Sequence, residues 1–340
     1  MLHGPFLLTP LTQGVLLCAV WLSVMEARAQ EAAVPEPPPA AQQQNTALPN
    51  VSVQATREEA GQTTPEPSTT LSGAALRNRA ASTLGATLQD ELGVANASFG
   101  ANVGLPVIRG LSGARVRTLV GGAGTNDAST ISADHAVMTE PLLAESITVW
   151  KGPAAVRFGG GALGGAVEIE DGRIPTTLPS RTRFKGDVRG GMEGRSAVAK
   201  LDGRLGGAVA WHVDVHGRDQ NDTTIPGWAQ DEAAIRQQFG LGPTSNSRGH
   251  VPNTDARSGG GAVGASWLGE AGWLGLSLSS LSQNYGIPPG GHSHSHGGTQ
   301  IDPAEERVRI DARQHRLDLR GEFDLAGDHL QKLKLRTAHT

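Results

Sequence analysis

The chain has 340 residues, with 29 basic against 33 acidic side chains and a formal net charge of −4. That length admits two domains, and the balance provides neither a basic surplus for nucleic acid nor a block of like charge. Gly supplies 46 residues while hydrophobic content is only 38%, which speaks against a helical enzyme and for a turn-rich β architecture.

Val15–Val24 is an uncharged apolar run followed by Ala27-Arg28-Ala29, which has the small-x-small form of a signal-peptidase site. Residues 1–29 are therefore read as a signal peptide, although only His3 and the amino terminus stand where basic residues are usual. The run is too short for a bilayer-spanning helix, which needs about 20 residues. The single cysteine, Cys18, lies inside this segment, so the exported chain would carry none, as suits an oxidising compartment. Leu17 stands where a lipoprotein signal wants a small residue, so lipidation is not expected.

Residues 30–49, rich in Ala, Pro, Gln and Glu, read as an extended periplasmic linker. Residues 50–70 open with Val51-Ser52-Val53-Gln54-Ala55, a short alternating stretch. Pattern alone leaves two readings open: a strand that adds to a partner's sheet edge, or the first strand of the next domain.

Residues 71–176 form the next unit, a small α+β domain. A helix is expected over Thr83–Leu92 with Leu84, Leu88 and Leu92 on one face. Strands are expected at Val103–Arg109, Val116–Val120, Ser146–Lys151 and Gly165–Ile169, all punctuated by glycine.

From 177 to 340 the pattern changes to period two. Strands are expected over 184–192, 197–205, 209–217, 257–268, 272–285, 307–323 and 330–337. Val209, Trp211, Val213 and Val215 alternate with His212, Asp214 and His216, so one face is apolar and the other wet, as in a transmembrane barrel. If the first strand rises from the periplasm, the connections at 193–195, 219–256 and 286–306 are external and those at 206–208, 269–271 and 324–329 periplasmic. Long external and short periplasmic connections are the asymmetry of outer-membrane barrels. Trp211, Trp267, Trp273 and Phe323 fall near the short turns, with Tyr285 near the outer end, a thin aromatic girdle. These strands cannot close a barrel, because an open sheet leaves edges that a membrane does not tolerate. The fold class expected is an α+β plug followed by about 7 of roughly 22 antiparallel barrel strands, in a truncated sequence.

The α+β segment carries the most specific text. Leu105-Pro106-Val107-Ile108-Arg109-Gly110 precedes Ile131-Ser132-Ala133-Asp134-His135-Ala136 and Glu140-Pro141-Leu142-Leu143-Ala144-Glu145. Lys151-Gly152-Pro153 then leads through Arg157-Phe158-Gly159 to Gly161-Ala162-Leu163-Gly164-Gly165-Ala166-Val167. This resembles the plug of TonB-dependent receptors over about 80–175, departing at Phe158 for the usual Tyr and Glu168 for the usual Asn. The resemblance implies a Gram-negative outer-membrane location, outer-membrane lipid around the barrel, and energising by TonB with its inner-membrane complex. It makes Val51, Ser52, Val53, Gln54 and Ala55 the TonB-contacting strand. Within the family, "SADHA", "EPLLAE" and "DGRIP" (Asp171–Pro175) look like the zinc-uptake, ZnuD-like branch. The resemblance then implies that Asp134 and His135 contribute to a zinc site facing the lumen. Two adjacent residues cannot complete a tetrahedral site, so the other ligands must come from the barrel.

A second metal signal is local. His292, His294 and His296 alternate with serines between glycine pairs, in the third external connection. Imidazoles favour Zn, Cu and Ni about equally, so the tract names no metal. His212 and His216 point into the lumen but lie about 13 Å apart at strand rise, too far to share an ion. They read as polar filling. Gly159–Gly164 satisfies GxGxxG, but β-leaning residues follow where a dinucleotide site needs a helix, so no cofactor is expected. No catalytic arrangement is legible and no enzyme is expected. The leading expectation is energy-coupled import of a metal ion, zinc as the transported ligand. The alternatives are a receptor for a siderophore or haem chelate, and a truncated, non-transporting metal-binding surface protein.

Overall fold

A computed structural model describes residues 68–240, 246–288, 307–325, 327 and 330–340, all within one unit, Gly61–Thr340. The expected signal peptide, the linker, Val51–Ala55 and the His292–His296 tract lie outside the described residues.

The first part is a five-stranded sheet in the order β1 (Ser68–Ser72), β6 (Ser146–Lys151), β7 (Gly165–Glu170), β4 (Val116–Val120) and β5 (Ala123–Gly124). Only β4 and β7 run parallel; the other pairings are antiparallel. A separate hairpin joins β2 (Val94–Ser98) to β3 (Gly104–Ile108). Helix α1 (Gly73–Arg79) follows β1, and α2 (Leu84–Leu88) packs on the hairpin. Leu71, Leu76, Leu84, Leu88, Ile147, Val149 and Val167 share one buried cluster. Leu88→Ala should cost about 2–5 kcal/mol, since this fully buried side chain leaves a cavity that its neighbours only partly fill; a thermal unfolding scan measures it.

Strands Val116–Val120 and Ser146–Lys151 match the sequence expectation residue for residue, and the other two agree within a residue at each end. The helix does not. It starts where Thr83 caps it, its hydroxyl accepting from the Ala86 N–H at 3.2 Å, but it ends at Leu88 rather than Leu92. Gly93, at φ +73°, turns the chain into β2, and Leu92 is 89% exposed instead of joining the apolar face. The strand β1, the helix α1 and the strand β2 had no clear signal in the sequence.

The glycine-rich text has a packing cause. A Cβ on Gly165 would sit 2.6 Å from the Trp150 carbonyl oxygen and 3.0 Å from two Ile108 side-chain carbons. Only glycine lets the start of β7 approach β3 and β6 this closely. Trp150 donates its indole N–H to Glu168 at 3.2 Å, and Phe158 packs tilted against it at 6.0 Å. The two departures from the family text are thus both used. The segment after Gly159–Gly164 is the strand β7, not a helix.

The second part is one antiparallel sheet of β8 (Arg183–Gly191), β9 (Gly194–Leu205), β10 (Val209–Gln220), β13 (Ala256–Gly269), β14 (Gly272–Gly286), β15 (Arg309–Asp324) and β16 (Lys332–His339). The order is β16-β15-β14-β13-β10-β9-β8, so each strand neighbours its successor in this wall. All seven expected strands are present. Between β10 and β13 the long connection carries its own hairpin, β11 (Thr223–Trp228) with β12 (Arg248–Val251), and the helix α3 (Glu232–Phe239), none of which was expected.

Alternation divides the wall into two faces. Ser196, Lys200, Asp202, His212, Asp214, His216, Ser266, Ser277 and Arg316 are buried against the first domain. Val213, Val215, Val263, Leu276, Leu278 and Leu317 stand exposed on the other face. An exposed apolar band backed by a polar face is what a lipid-facing barrel wall requires. Near the short turns Trp211 lies flat across Gly203, its partner on β9, where a Cβ would meet the indole at 2.3 Å. Among the described residues no helix is long and apolar enough to cross a membrane, which says nothing of strands.

Candidate functional site

The Asp134–His135 pair sits in a loop without regular structure, after a 3-10 turn at Ala128–Thr130. Asp127 caps that turn, accepting from the Ser129 N–H at 3.1 Å, and its other oxygen accepts from the Met138 N–H at 3.1 Å. One carboxylate thus pins both ends of the segment that holds the pair. The far side is held by the wall. Tyr285, near the outer end of β14, is 1% exposed and accepts from the Ala136 N–H at 3.0 Å; its hydroxyl donates to the Asp134 carbonyl at 3.5 Å. Val103, Ala136, Ala256 and Tyr285 pack around this contact, with Ile287 and Ile310 beside them. Tyr285→Phe leaves the buried Ala136 N–H unpaired and should cost about 1–3 kcal/mol. Hydrogen exchange of the Ala136 amide, faster in the variant, would register it.

Within the pair, Asp134 Oδ1 accepts from the Ser132 hydroxyl and lies 2.9 Å from His135 Nδ1. With Nδ1 oriented by the carboxylate, His135 Nε2 is left to bind a cation and Asp134 acts behind the ring, an arrangement common among metal-binding histidines. The Ser132 hydrogen bond holds the Asp134 carboxyl below its ordinary 3.8, against the opposing effect of burial. A lowered carboxylate contributes stability that is present above its unfolded value and lost as pH falls through the folded one. An NMR titration of Asp134 should therefore give a midpoint below 3.8, and Ser132→Ala should move it upward. Among the described residues no three His, Cys, Asp or Glu side chains gather to hold a metal ion. Asp134 and His135 thus have no third ligand there, and His292, His294 and His296 fall outside it.

Beneath this apex the domain is fastened to the wall mainly by charge-assisted hydrogen bonds. Arg218 grips Glu140 with two bonds, at 2.7 and 3.3 Å. Arg316 donates to the Gly124 and Val120 carbonyls at 2.7 and 3.3 Å. Lys200 reaches the Leu143 and Asp171 carbonyls, and Arg320 pairs with Glu170 at 3.0 Å. Such contacts are strong while made, yet they exchange for water more readily than an interdigitated apolar core.

The most buried charges were missed in the sequence. His212, 1% exposed, sits between Asp202 (Nδ1 to Oδ1, 2.7 Å) and Asp214 (Nε2 to Oδ2, 3.0 Å). Arg173, in the segment joining the domain to the wall, forks onto Asp214 at 2.8 and 3.1 Å. A signal existed. The turn at 206–208 sets Leu205 opposite Val209, which brings Asp202 directly opposite His212. His216 lies inward as expected, but both its ring nitrogens are buried without a hydrogen-bond partner.

Residues 60–166 match the family model of the TonB-dependent Receptor Plug Domain. The α+β domain is similar to the plug of TonB-dependent receptors. About three-quarters to four-fifths of the chain superposes on solved receptors and transporters. "Copper transporter OprC" gives a TM-score of 0.57 at 19% identity, over 80% of this chain and 36% of that one. The FrpB iron transporter from Neisseria meningitidis gives 0.56 at 14% identity, over 77% and 39%. The ferric yersiniabactin uptake receptor FyuA from Yersinia pestis gives 0.53 at 16%, over 76% and 38%. At these identities the likeness is one of fold: a plug followed by antiparallel strands of a barrel-like sheet. The chain spans less than two-fifths of the length of these three structures.

Proposed function

We propose that this chain is the front part of a TonB-dependent outer-membrane receptor that imports a metal ion, zinc being the cargo that its resemblance to the zinc-uptake branch points to and its ligand set suits. The observation that carries the reading is the plug-apex pair, held in place by Asp127 and by Tyr285 of the wall with an imidazole nitrogen left to bind and a carboxylate behind the ring. An imidazole oriented in this way suits Zn²⁺. Tyr285, which holds the pair's loop, stands seven positions before His292 in the sequence. The tract would collect dilute ion and the plug pair would receive it.

Val51–Ala55 would pair with TonB, and the inner-membrane complex would supply the energy to loosen the polar plug–wall contacts. No bond in the cargo breaks. Related folds include a copper transporter and a ferric yersiniabactin uptake receptor by their names, and a cavity of about 370 Å³ beneath the outer rim, lined by Ser82, Asn96, Ser98, Asn221 and Thr254, would give a metal chelate a place to rest. Uptake of radioactive zinc by cells producing the receptor separates the two. Zinc import should depend on TonB and resist competition by ferric chelates. Import unaffected by TonB deletion, or abolished by a ferric siderophore, would refute the zinc reading.

A further inference from the structure

The wall carries a second set of imidazole and carboxylate side chains well below the apex, though as they stand no three are arranged as a ready metal site. Along β10, His212, Asp214 and His216 occupy successive inward positions, and Asp202 stands opposite His212 on β9. Tyr285 pairs with Ala256, and His216 pairs with Gly260, four residues further from the outer rim. At about 3.3 Å per residue, His216 is roughly 13 Å below Tyr285 and His212 about as far again.

Three features of this set stand out. His216 is 6% exposed, its ring lies against Gly260, and neither ring nitrogen has a partner. Burying an imidazole in that condition is costly unless the position serves a guest. The ring borders a cavity of about 40 Å³ that Glu140, Asp171 and Arg173 also line, room for a water-sized guest or a bare ion. On the other side, Asp202 opens onto a cavity of about 500 Å³ lined by Glu145, Glu170 and Glu322 together with Arg183, Arg320, Lys334 and Arg336, towards the short-turn end of the wall. Between the two cavities stands Asp214, whose carboxylate is completely buried and held by the guanidinium of Arg173.

Arg173 is unlike the others in origin. His212, Asp214, His216 and Asp202 are fixed in strands, whereas Arg173 belongs to the joining segment and reaches Asp214 through a long flexible side chain. Its backbone passes over Gly264, where a Cβ would lie 1.8 Å from the Arg173 carbonyl oxygen. The guanidinium can therefore leave Asp214 while the segment stays seated. Once it leaves, Asp214 has one imidazole on each side and a buried negative charge that needs a cation.

We propose that Asp214, with His216 above it and His212 and Asp202 below, is an inner cation-binding station that the plug segment's Arg173 occupies at rest. The proposal rests on the cargo being a cation, as inferred above. A metal ion entering by the upper cavity would take Asp214 and His216 as ligands, displacing the guanidinium. It would then pass to His212 and Asp202, which stand opposite one another on neighbouring strands. The wider cavity, whose carboxylates are interleaved with basic side chains, is then the way out. The 13 Å between the imidazoles, which forbids a single shared site, makes them two steps with Asp214 common to both.

The test is a zinc titration by calorimetry on the full chain folded in detergent, with Asp134, His135, His292, His294 and His296 already replaced by Ala so that only inner binding is counted. Adding Arg173→Gln should create one further zinc site, or tighten an existing one by about tenfold or more. Adding His216→Ala and Asp214→Asn to that variant should remove it. Arg173→Lys, which keeps the charge and the stem but not the fork, should give an intermediate gain and covers the case in which Arg173→Gln does not fold. Zinc binding unchanged by both Arg173 variants, or an added site that survives loss of His216 and Asp214, would overturn the proposal. Because the apex pair is absent throughout, failure of the zinc reading at the apex leaves this count untouched.

Discussion

Replacing Asp134 and His135 together by Ala is expected to weaken zinc binding at the plug apex by about 100-fold, roughly 2.7 kcal/mol, with little change in thermal stability. The two side chains are each about one-third exposed and pair chiefly with one another and Ser132, so their loss removes donors without opening a cavity. The single variants should differ. His135→Ala removes the nitrogen donor and should account for most of the effect. Asp134→Asn keeps the loop shape but loses the charge that orients the His135 ring, and should cost a smaller factor, of order 10-fold or more. Calorimetry on the full chain reads both. Equal zinc affinity in the double variant and the parent would remove the apex as the binding site.

The second large effect concerns the buried charges. Asp214→Leu should destabilise the chain by about 3–5 kcal/mol, because it strands the Arg173 guanidinium and one face of His212 away from water. Coupling Arg173→Met to Asp214→Leu should recover more than half of that loss, since replacing both partners of a buried pair by apolar groups is often close to neutral. Thermal unfolding of the four proteins forms a double-mutant cycle. A single-variant cost below about 1 kcal/mol would show that water reaches the pair and that it does not hold the joining segment.

The wall was legible because its physics is local. Charged residues at every second position, as in Val209–His216, leave a strand only one dry face, and the strand boundaries follow within a few residues. The plug was legible for a different reason: Arg109-Gly110, Lys151-Gly152 and Gly164-Gly165 are short phrases dictated by close backbone approach, as at Gly165. Helix α2 was misjudged since Leu92 keeps the helical spacing while Gly93 has already turned the chain. Spacing reports a face, not whether the backbone continues.

The site was less legible. Asp134 and His135 were found through resemblance, but the use of Asp127 and Tyr285 to hold their loop depends on contacts 11 and 149 positions apart. The Asp202–His212–Asp214 arrangement was within reach, because one turn fixes the cross-strand partners. Arg173 was not: nothing in periodicity says that a residue between plug and wall folds back 41 positions along the chain onto Asp214.

The central claim is that the plug apex binds zinc through His135, with Asp134 behind its ring. It is tested most directly by anomalous X-ray scattering at the zinc edge on crystals of the zinc-loaded chain. The account predicts a zinc ion about 2.0–2.1 Å from His135 Nε2, with the Asp134 carboxylate held on His135 Nδ1 behind it. Zinc located elsewhere with the Asp134–His135 pair bare, under conditions where the chain is zinc-saturated, would contradict it.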